Sequence, residues 1–316
     1  MMILINILFL LLSYLIMLVG ILVGVAFLVL LERKFLGYVQ DRKGPNKVFF
    51  LGIFQPFSDA IKLFIKENIK LMKVNLFFYL VSPMFGFIMV MVLILGLPLD
   101  INIYSMNLFL LYLMSCLSIG VYIILMSSWS SNSNYSMLGG IRSLSQSLSY
   151  EVSMFLIFFI MFNYVESFQL IEFMKFQKSL SFWFVNLIIF LILFISMIAE
   201  LNRMPFDFIE GESELVSGFN VEYMSVSFTF IFLAEYMMIL LMMEYFVMMF
   251  FGYSMYFIKN IFYVLFFSLM IILIRGVLPR LRYDNLMYFC WYYILSISMK
   301  ILLFMLIFKI YLFKMF

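Results

Sequence analysis

Long apolar runs recur along almost the whole chain and restrict its fold more strongly than any motif does. A helix needs about 20 apolar residues to cross the hydrocarbon core of a bilayer. The chain is 66% hydrophobic and only 12% charged over 316 residues, which is more apolar surface than a soluble domain could bury. We therefore predict an all-α polytopic membrane protein, with 1–316 as a single integral membrane domain. The eight predicted spans lie at approximately 3–31, 75–98, 106–130, 147–165, 182–202, 221–251, 257–277 and 286–313.

Positive charge is distributed unevenly between the loops of this predicted topology. With eight spans, the loops after spans 1, 3, 5 and 7 lie on one side of the membrane, and they carry 14 of the 20 Lys and Arg residues. Because basic loops remain on the side from which a membrane protein is inserted, these loops should face the mitochondrial matrix or a bacterial cytoplasm. The acidic loop 203–220 lies on the same face, which favours a role in docking and ion handling.

Segment 52–70 is too charged to cross a bilayer but has the pattern of an amphipathic helix. Apolar residues such as Phe54 and Phe57 recur at helical spacing, while Lys62 and Lys66 follow each other on the polar side. We predict a helix that lies in the membrane interface, with its lysines available to anionic lipid. The alternative interpretation is a solvated helix within a loop.

A cluster of carboxylates lies between two of the apolar runs. Five acids fall within sixteen residues, with Arg203 as the only nearby cation: Asp207, Glu210, Glu212, Glu214 and Glu222. Carboxylates cost several kcal/mol where water is scarce, so their concentration here indicates a function. The chain contains no histidine. A side chain that exchanges protons near pH 7 therefore has to be a carboxylate whose pKa is raised by burial and by neighbouring acids.

Further carboxylates are predicted deeper in the membrane. Glu235 follows Glu222 by thirteen residues, which is about 20 Å along a continuous helix and near the midplane. No Lys or Arg of the predicted spans lies at that depth, so we expect Glu235 to be neutral, hydrated or hydrogen-bonded to a group such as Tyr236. Glu151 and Glu200 lie near the matrix ends of spans four and five, where they are placed to relay protons from the acidic loop.

The cysteine and glycine patterns give no sign of a redox centre in this chain. Cys116 and Cys290 stand alone in apolar runs, without the spacing of a zinc, iron–sulfur or haem site, and no dinucleotide fingerprint is present. We therefore predict no metal, flavin or iron–sulfur cluster here, so that any electrons would arrive on another subunit. The excess of Phe (42) and Met (29) is typical of an AT-rich gene with extra Met codons, which indicates a mitochondrially encoded product.

Four motifs, in order along the chain, resemble the subunit 1 family of NADH–ubiquinone oxidoreductase, the quinone-proximal membrane subunit of respiratory complex I. The resemblance covers nearly the whole chain. The motifs are ERKFLGYVQDRKGPNKV at 32–48, GGIRSLSQSLSYEVS at 139–153, AELNRMPFDFIEGESELVSGFNVEY at 199–223 and RGVLPRLRYDNLM at 275–287.

The resemblance implies a fold, an activity and a set of partners. Spans 2 to 6 would be antiporter-like, and the matrix loops would dock the peripheral-arm subunits that form the quinone site. The chain would be a subunit without a redox centre in a proton-translocating complex of the mitochondrial inner membrane, with ubiquinone as the substrate. Neighbouring membrane-arm subunits and phospholipid, with cardiolipin as one candidate, would be further partners, and nucleic acid would not.

The resemblance also assigns roles to individual residues. The charged residues of the quinone tunnel would be Glu32, Arg33, Arg42, Asp59 and Arg282. The carboxylates of the proton relay would be Glu151, Glu200, Asp207, Glu210, Glu212, Glu214, Glu222 and Glu235. Because Glu32 and Arg33 lie side by side at the membrane boundary, we expect them to form a functional pair.

Two other classes of function remain open at the level of the sequence. A proton- or cation-coupled transporter would explain acids near the midplane, and the membrane subunit of a related hydrogenase would share the antiporter-like core. A purely structural anchor does not account for Glu235. Co-purification with flavin and iron–sulfur subunits would distinguish a subunit of a redox complex from a transporter that works alone.

Overall fold

The computed structural model describes residues 2–68, 72–98, 106–177, 180–208, 211, 218–252 and 257–315. Within these ranges the regular structure is helical, which confirms the predicted all-α class. We number the α-helices in chain order as α1 Met2–Val39, α2 Gln55–Ile65, α3 Leu76–Ile94, α4 Phe109–Ser130, α5 Asn134–Val165, α6 Leu170–Phe176, α7 Phe182–Val185, α8 Leu187–Glu200, α9 Ser225–Phe251, α10 Phe257–Val277, α11 Tyr283–Tyr288 and α12 Leu295–Met315. A π-helical segment, Phe289–Ile294, joins the last two helices.

Seven helical stretches within the described ranges are long and apolar enough to cross a membrane. The predicted span 182–202 is different, because the structure divides it into α7 and the 14-residue α8. The break occurs at Asn186, whose φ of −131° and ψ of 56° are not helical. The side-chain oxygen of Asn186 accepts a hydrogen bond from the hydroxyl of Tyr164 at 3.1 Å, and this contact with α5 stabilises the interruption.

Three helices also differ in length from the sequence prediction. Helix α5 begins at Asn134, thirteen residues before the predicted start at 147, and α1 continues to Val39 instead of ending at 31. Both additions are polar segments, and the added part of α5 is buried at Ser136 and Ser143. The interfacial helix is shorter than predicted and covers Gln55–Ile65 only. Tertiary packing therefore extends helices into sequences that hydropathy alone assigns to loops.

Helix α9 is the centre of the bundle. It contacts α1, α2, α3, α6, α7, α8 and α10, while α3, α4 and α5 pack against one another in sequence. Its buried face consists of flexible or large apolar side chains, and Met237, Leu241 and Phe246 are all fully buried. Met and Phe fill irregular space between helices well, so the unusual composition of the chain also serves the packing of its core.

Helices α4 and α5 approach each other closely at small residues. A methyl group at Gly140 would overlap the Cβ and Oγ atoms of Ser128 on α4. Around this contact, serine hydroxyls donate to backbone carbonyls of their own helix, as Ser128 does to Leu125 at 2.9 Å. Small residues let two helix backbones come together in a membrane, and here they bring α4 against the polar first half of α5.

The contact at Gly140 predicts a position-specific effect of adding one methyl group. Gly140→Ala should lower the midpoint of thermal unfolding of the detergent-extracted protein, because overpacking a close contact costs about 1–3 kcal/mol. Gly20→Ala is the matched control, since a methyl group on Gly20 in α1 would meet no atom within 4 Å. Equal midpoints for the two variants would contradict the packing described here.

Candidate functional site: a charged cavity beside helix α9

The carboxylate of Glu32 is the centre of a buried charged cluster. Glu32 is 4% exposed. Its Oε1 accepts from the guanidinium of Arg203 at 3.2 Å and from that of Arg275, and its Oε2 accepts from the hydroxyl of Tyr236 at 2.7 Å. The guanidinium of Arg203 also lies 4.5 Å from the centre of the Tyr236 ring, a cation–π distance. The cluster thus joins α1, α9, α10 and the segment after α8.

Glu32 and Arg33, which were expected to act as a pair, form ion pairs with different partners. Adjacent residues on a helix point in different directions, and Arg33 forms an ion pair with Asp59 of α2 instead. Asp59 also accepts a hydrogen bond from Gln55 at 3.1 Å. The side chains of Arg33 and Asp59 are 48% and 33% exposed, so this second pair is far more open to its surroundings than the first.

A cavity of about 670 Å³ opens beside the Glu32 cluster. Its apolar wall comes mainly from α3, α4 and α9, with residues such as Val90, Leu117 and Phe232. Charged side chains are gathered on the remaining wall: Glu32, Arg33, Glu200, Arg203, Asp207, Glu235 and Arg275. The structure thereby brings together, around one space, two residues predicted for the quinone tunnel and three predicted for the proton relay.

Glu200, the last residue of α8, differs from the other acids of the cavity. Its Oε2 is buried and has no hydrogen-bond partner among the described residues. The nearest charge that acts on it is that of Glu151 on α5, which is of the same sign. A buried carboxylate without a donor or a cation is poorly stabilised as an anion, so Glu200 is the acid here that is most suited to bind a proton.

Asp207 lies in a segment that is attached to the end of α10. Its Oδ2 accepts from Arg280 at 3.3 Å, and two residues earlier the carbonyl of Pro205 accepts from the backbone N–H of Leu281 at 3.1 Å. The other end of the acidic loop is attached to α3 and α4. There the Tyr79 hydroxyl donates to the carbonyl of Glu222 at 2.5 Å, and the rings of Tyr79 and Tyr223 stack with centroids 4.5 Å apart.

The structure corrects the expected surroundings of Glu235. Tyr236, the proposed hydrogen-bond partner, donates to Glu32 instead. Moreover, a cation does interact with Glu235, since the charges of Arg203 and Glu235 act on each other. Burial opposes the charge of Arg203, but the neighbouring Tyr236, Glu32 and Glu235 together hold the pKa of its guanidinium above the usual value. Both Glu235 and Glu32 therefore interact electrostatically with Arg203.

The remaining predicted site residues that the structure describes do not line the cavity. Arg42 is exposed, and Arg282 is 80% exposed at its side chain and pairs with Asp284 at 3.1 Å. Glu151 is partly buried on α5 behind Glu200, and Glu222 is half-buried at the end of the acidic loop. Glu210, Glu212 and Glu214 lie outside the described residues.

Three members of the cluster were not selected from the sequence as site residues: Arg203, Tyr236 and Arg275. Features of the sequence drew attention to two of these residues. Arg203 is the only cation close to the acidic stretch, and Arg275 opens the fourth motif. Their partner Glu32 is 171 and 243 residues away, so local sequence patterns could not reveal the pairing.

Comparisons with known proteins identify the family of the chain. The sequence profile of the NADH dehydrogenase family matches residues 12–306. The chain belongs to the NADH dehydrogenase family. Among its relatives in this family are proteins named NADH-ubiquinone oxidoreductase chain 1. The chain is 46% identical to that of Aedes aegypti over 305 residues, which cover 96% of this chain and 97% of the relative.

More distant relatives of the same name match over similar lengths. The identity is 45% over 295 residues with Apis mellifera ligustica, covering 93% of this chain and 96% of the relative. It is 42% over 284 residues with Mytilus edulis, covering 89% and 92%. The motif-based resemblance to this NADH dehydrogenase family is therefore confirmed over nearly the full chain.

The Glu32 cluster predicts unequal costs for removing two ion pairs of this family member. Glu32→Gln should lower stability by about 3–5 kcal/mol, because it removes the carboxylate that pairs with the guanidinium groups of both Arg203 and Arg275 in a buried setting. Asp59→Asn, the matched control, opens the exposed pair with Arg33 and should cost no more than about 1 kcal/mol. The yield and melting temperature of the detergent-extracted protein measure both. A Glu32→Gln protein as stable as the control would contradict the role of the cluster.

Proposed function

We propose that this chain is the quinone-proximal membrane subunit of respiratory complex I in the mitochondrial inner membrane. Its work there is to enclose part of the path of ubiquinone and to couple quinone reduction to proton translocation. Membership of the NADH dehydrogenase family supports the assignment. The observation that carries the mechanism is the cavity beside α9, where Glu32 and Asp207, each paired with arginine, and Glu200, whose Oε2 has no partner among the described residues, line one space.

The quinone path in this proposal begins between α1 and α2 and continues towards the cavity. The pair of Arg33 and Asp59 links these two helices, and apolar aromatic side chains such as Phe54 and Phe57 surround the same region. An apolar wall with a few placed polar groups is the usual composition of a site for a hydrophobic cofactor. Arg42 and Arg282, which are exposed, would belong to the matrix-side surface near the peripheral arm.

The carboxylates that line the cavity are of two kinds, and the two kinds have different electrostatic roles. Glu32 and Asp207 each accept hydrogen bonds from arginine, so a neighbouring cation balances the charge of each. Glu200 has neither an arginine partner nor a donor to its Oε2 among the described residues, so its protonation responds to a change of charge nearby. A quinone that gains electrons and protons would supply such a change.

The proton relay would run from the acidic loop to the interior of the bundle. Glu151 lies behind Glu200 and acts on its charge, while Glu235 lines the cavity further along α9. The loop acids Glu210, Glu212 and Glu214, with Glu222, would exchange protons with these positions. Like-charged acids at close range titrate as a coupled group, so a proton taken up by one changes the affinity of the next.

The partners in this proposal follow from the two faces of the chain. The basic and acidic loops would face the matrix and dock the peripheral-arm subunits that form the quinone site, with neighbouring membrane-arm subunits beside the bundle. Lys62 on α2 and Lys66 directly after it are exposed next to the apolar residues Ile61 and Ile65, an arrangement suited to anionic phospholipid. Redox groups would reside on other subunits.

The proposal predicts that neutralising one unpaired acid slows the coupled reaction. Glu200→Gln should lower NADH:ubiquinone turnover of the assembled complex at least about tenfold, because proton transfer through a placed side chain contributes factors of ~10² or more. Proton pumping should fall with it. NADH oxidation by a water-soluble acceptor, which does not use the membrane subunit, should be unchanged.

Glu244→Gln provides the matched control. Glu244 is another acid of a spanning helix, on α9, but it does not line the cavity. Its substitution should leave turnover near the wild-type value in complexes of equal amount. Unchanged turnover and pumping in Glu200→Gln, or equal losses in both variants, would refute the role assigned to the cavity.

A further inference from the structure

A fully buried amide on α5 contacts the backbone next to two carboxylates of the third motif, Glu200 and Asp207. Gln146 is 0% exposed. Its Nε2 donates one hydrogen bond to the carbonyl of Ala199 and another to the carbonyl of Phe206, each at 2.9 Å. Each of these carbonyls belongs to the peptide group directly before a cavity acid, Glu200 in one case and Asp207 in the other.

From this geometry we infer that Gln146 is a positioning residue, which sets the distance and direction between Glu200 and Asp207 by fixing the two peptide planes that precede them. The inference rests on the proposed function, because it assumes that these two acids act together in the cavity. An amide has two N–H donors in one plane, so a single side chain can hold both peptides in a fixed relation. The arrangement is built from α5, which contributes no acid of its own to the cavity wall.

The two carbonyls do not depend on Gln146 alone for hydrogen bonding. The carbonyl of Ala199 also accepts from the N–H of Asn202 at 3.2 Å, and that of Phe206 from the N–H of Phe208 at 3.1 Å. Removing the Gln146 amide therefore leaves neither carbonyl without a donor, which limits the cost of the substitution to the fold. What is lost is the bridge between the end of α8 and the following segment.

Gln177 offers a matched control for the burial of a glutamine. It is 8% exposed, its Nε2 donates to the carbonyl of Met249 at 2.6 Å, and its Oε1, like that of Gln146, is buried without a partner among the described residues. It does not line the cavity. Gln146→Met and Gln177→Met thus remove equivalent amides, and only the first removes the bridge.

The test measures kcat and KM for a short-chain ubiquinone, per assembled complex, in Gln146→Met, Gln146→Asn and Gln177→Met. We expect Gln146→Met to lower kcat about tenfold, equivalent to about 1.4 kcal/mol, with KM unchanged. Gln146→Asn retains an amide that is one methylene too short to reach both carbonyls, so its kcat should be intermediate. Gln177→Met should have the kcat of the wild type.

Several results would overturn the inference. They are an unchanged kcat in Gln146→Met, an equal loss in Gln177→Met, or a loss that appears in KM alone. If Gln146→Met does not assemble, Gln146→Asn decides the matter, since a wild-type kcat in that variant contradicts the bridge. Glu200→Gln, measured in parallel, separates the two proposals. A loss in Glu200→Gln without a loss in Gln146→Met refutes only the positioning role, and no loss in either refutes the proposed function as well.

Discussion

The buried carboxylate of Glu32 is the interaction on which the arrangement of the site depends. Removing a carboxylate and two guanidinium groups from water costs several kcal/mol per ion, and this cost is recovered only when the partners are in good geometry. The two arginines and Tyr236 come from three different segments of the chain. Their requirement for Glu32 therefore determines how α1, α9, α10 and the segment after α8 lie relative to one another.

Because of these pairs, the carboxylates around the cavity differ in whether an arginine balances their charge. Arg203 and Arg275 are committed to Glu32, and Arg280 is committed to Asp207. No described arginine or lysine forms an ion pair with Glu200. Charges interact more strongly in the interior of a protein than in water. A charge that enters the cavity therefore acts on Glu200 without competition from an arginine paired to it.

Local sequence predicts the parts of this molecule that depend on local physics. Hydropathy located the long apolar helices, because crossing a bilayer sets a minimum length that each run satisfies by itself. It did not predict the break at Asn186 or the early start of α5 at Asn134, since these depend on Tyr164 and on the serine contacts with α4. The presence of unusual charges was also evident from the sequence. Their pairing was not, because Arg275 meets Glu32 across 243 residues.

The same physics explains why uncharged donors hold the backbone on either side of the acidic loop. Irregular backbone at the level of a membrane is tolerated only where it is buried in protein or lines a cavity, and its carbonyls still need donors there. The segments on either side of the acidic loop obtain these donors from the amide of Gln146, the hydroxyl of Tyr79 and the N–H of Leu281. A lysine or arginine in those places would add a competing positive charge to the cavity. Neutral donors hold the loop ends without stabilising the anionic form of Glu200, so anchoring of the backbone and tuning of the acids stay separate.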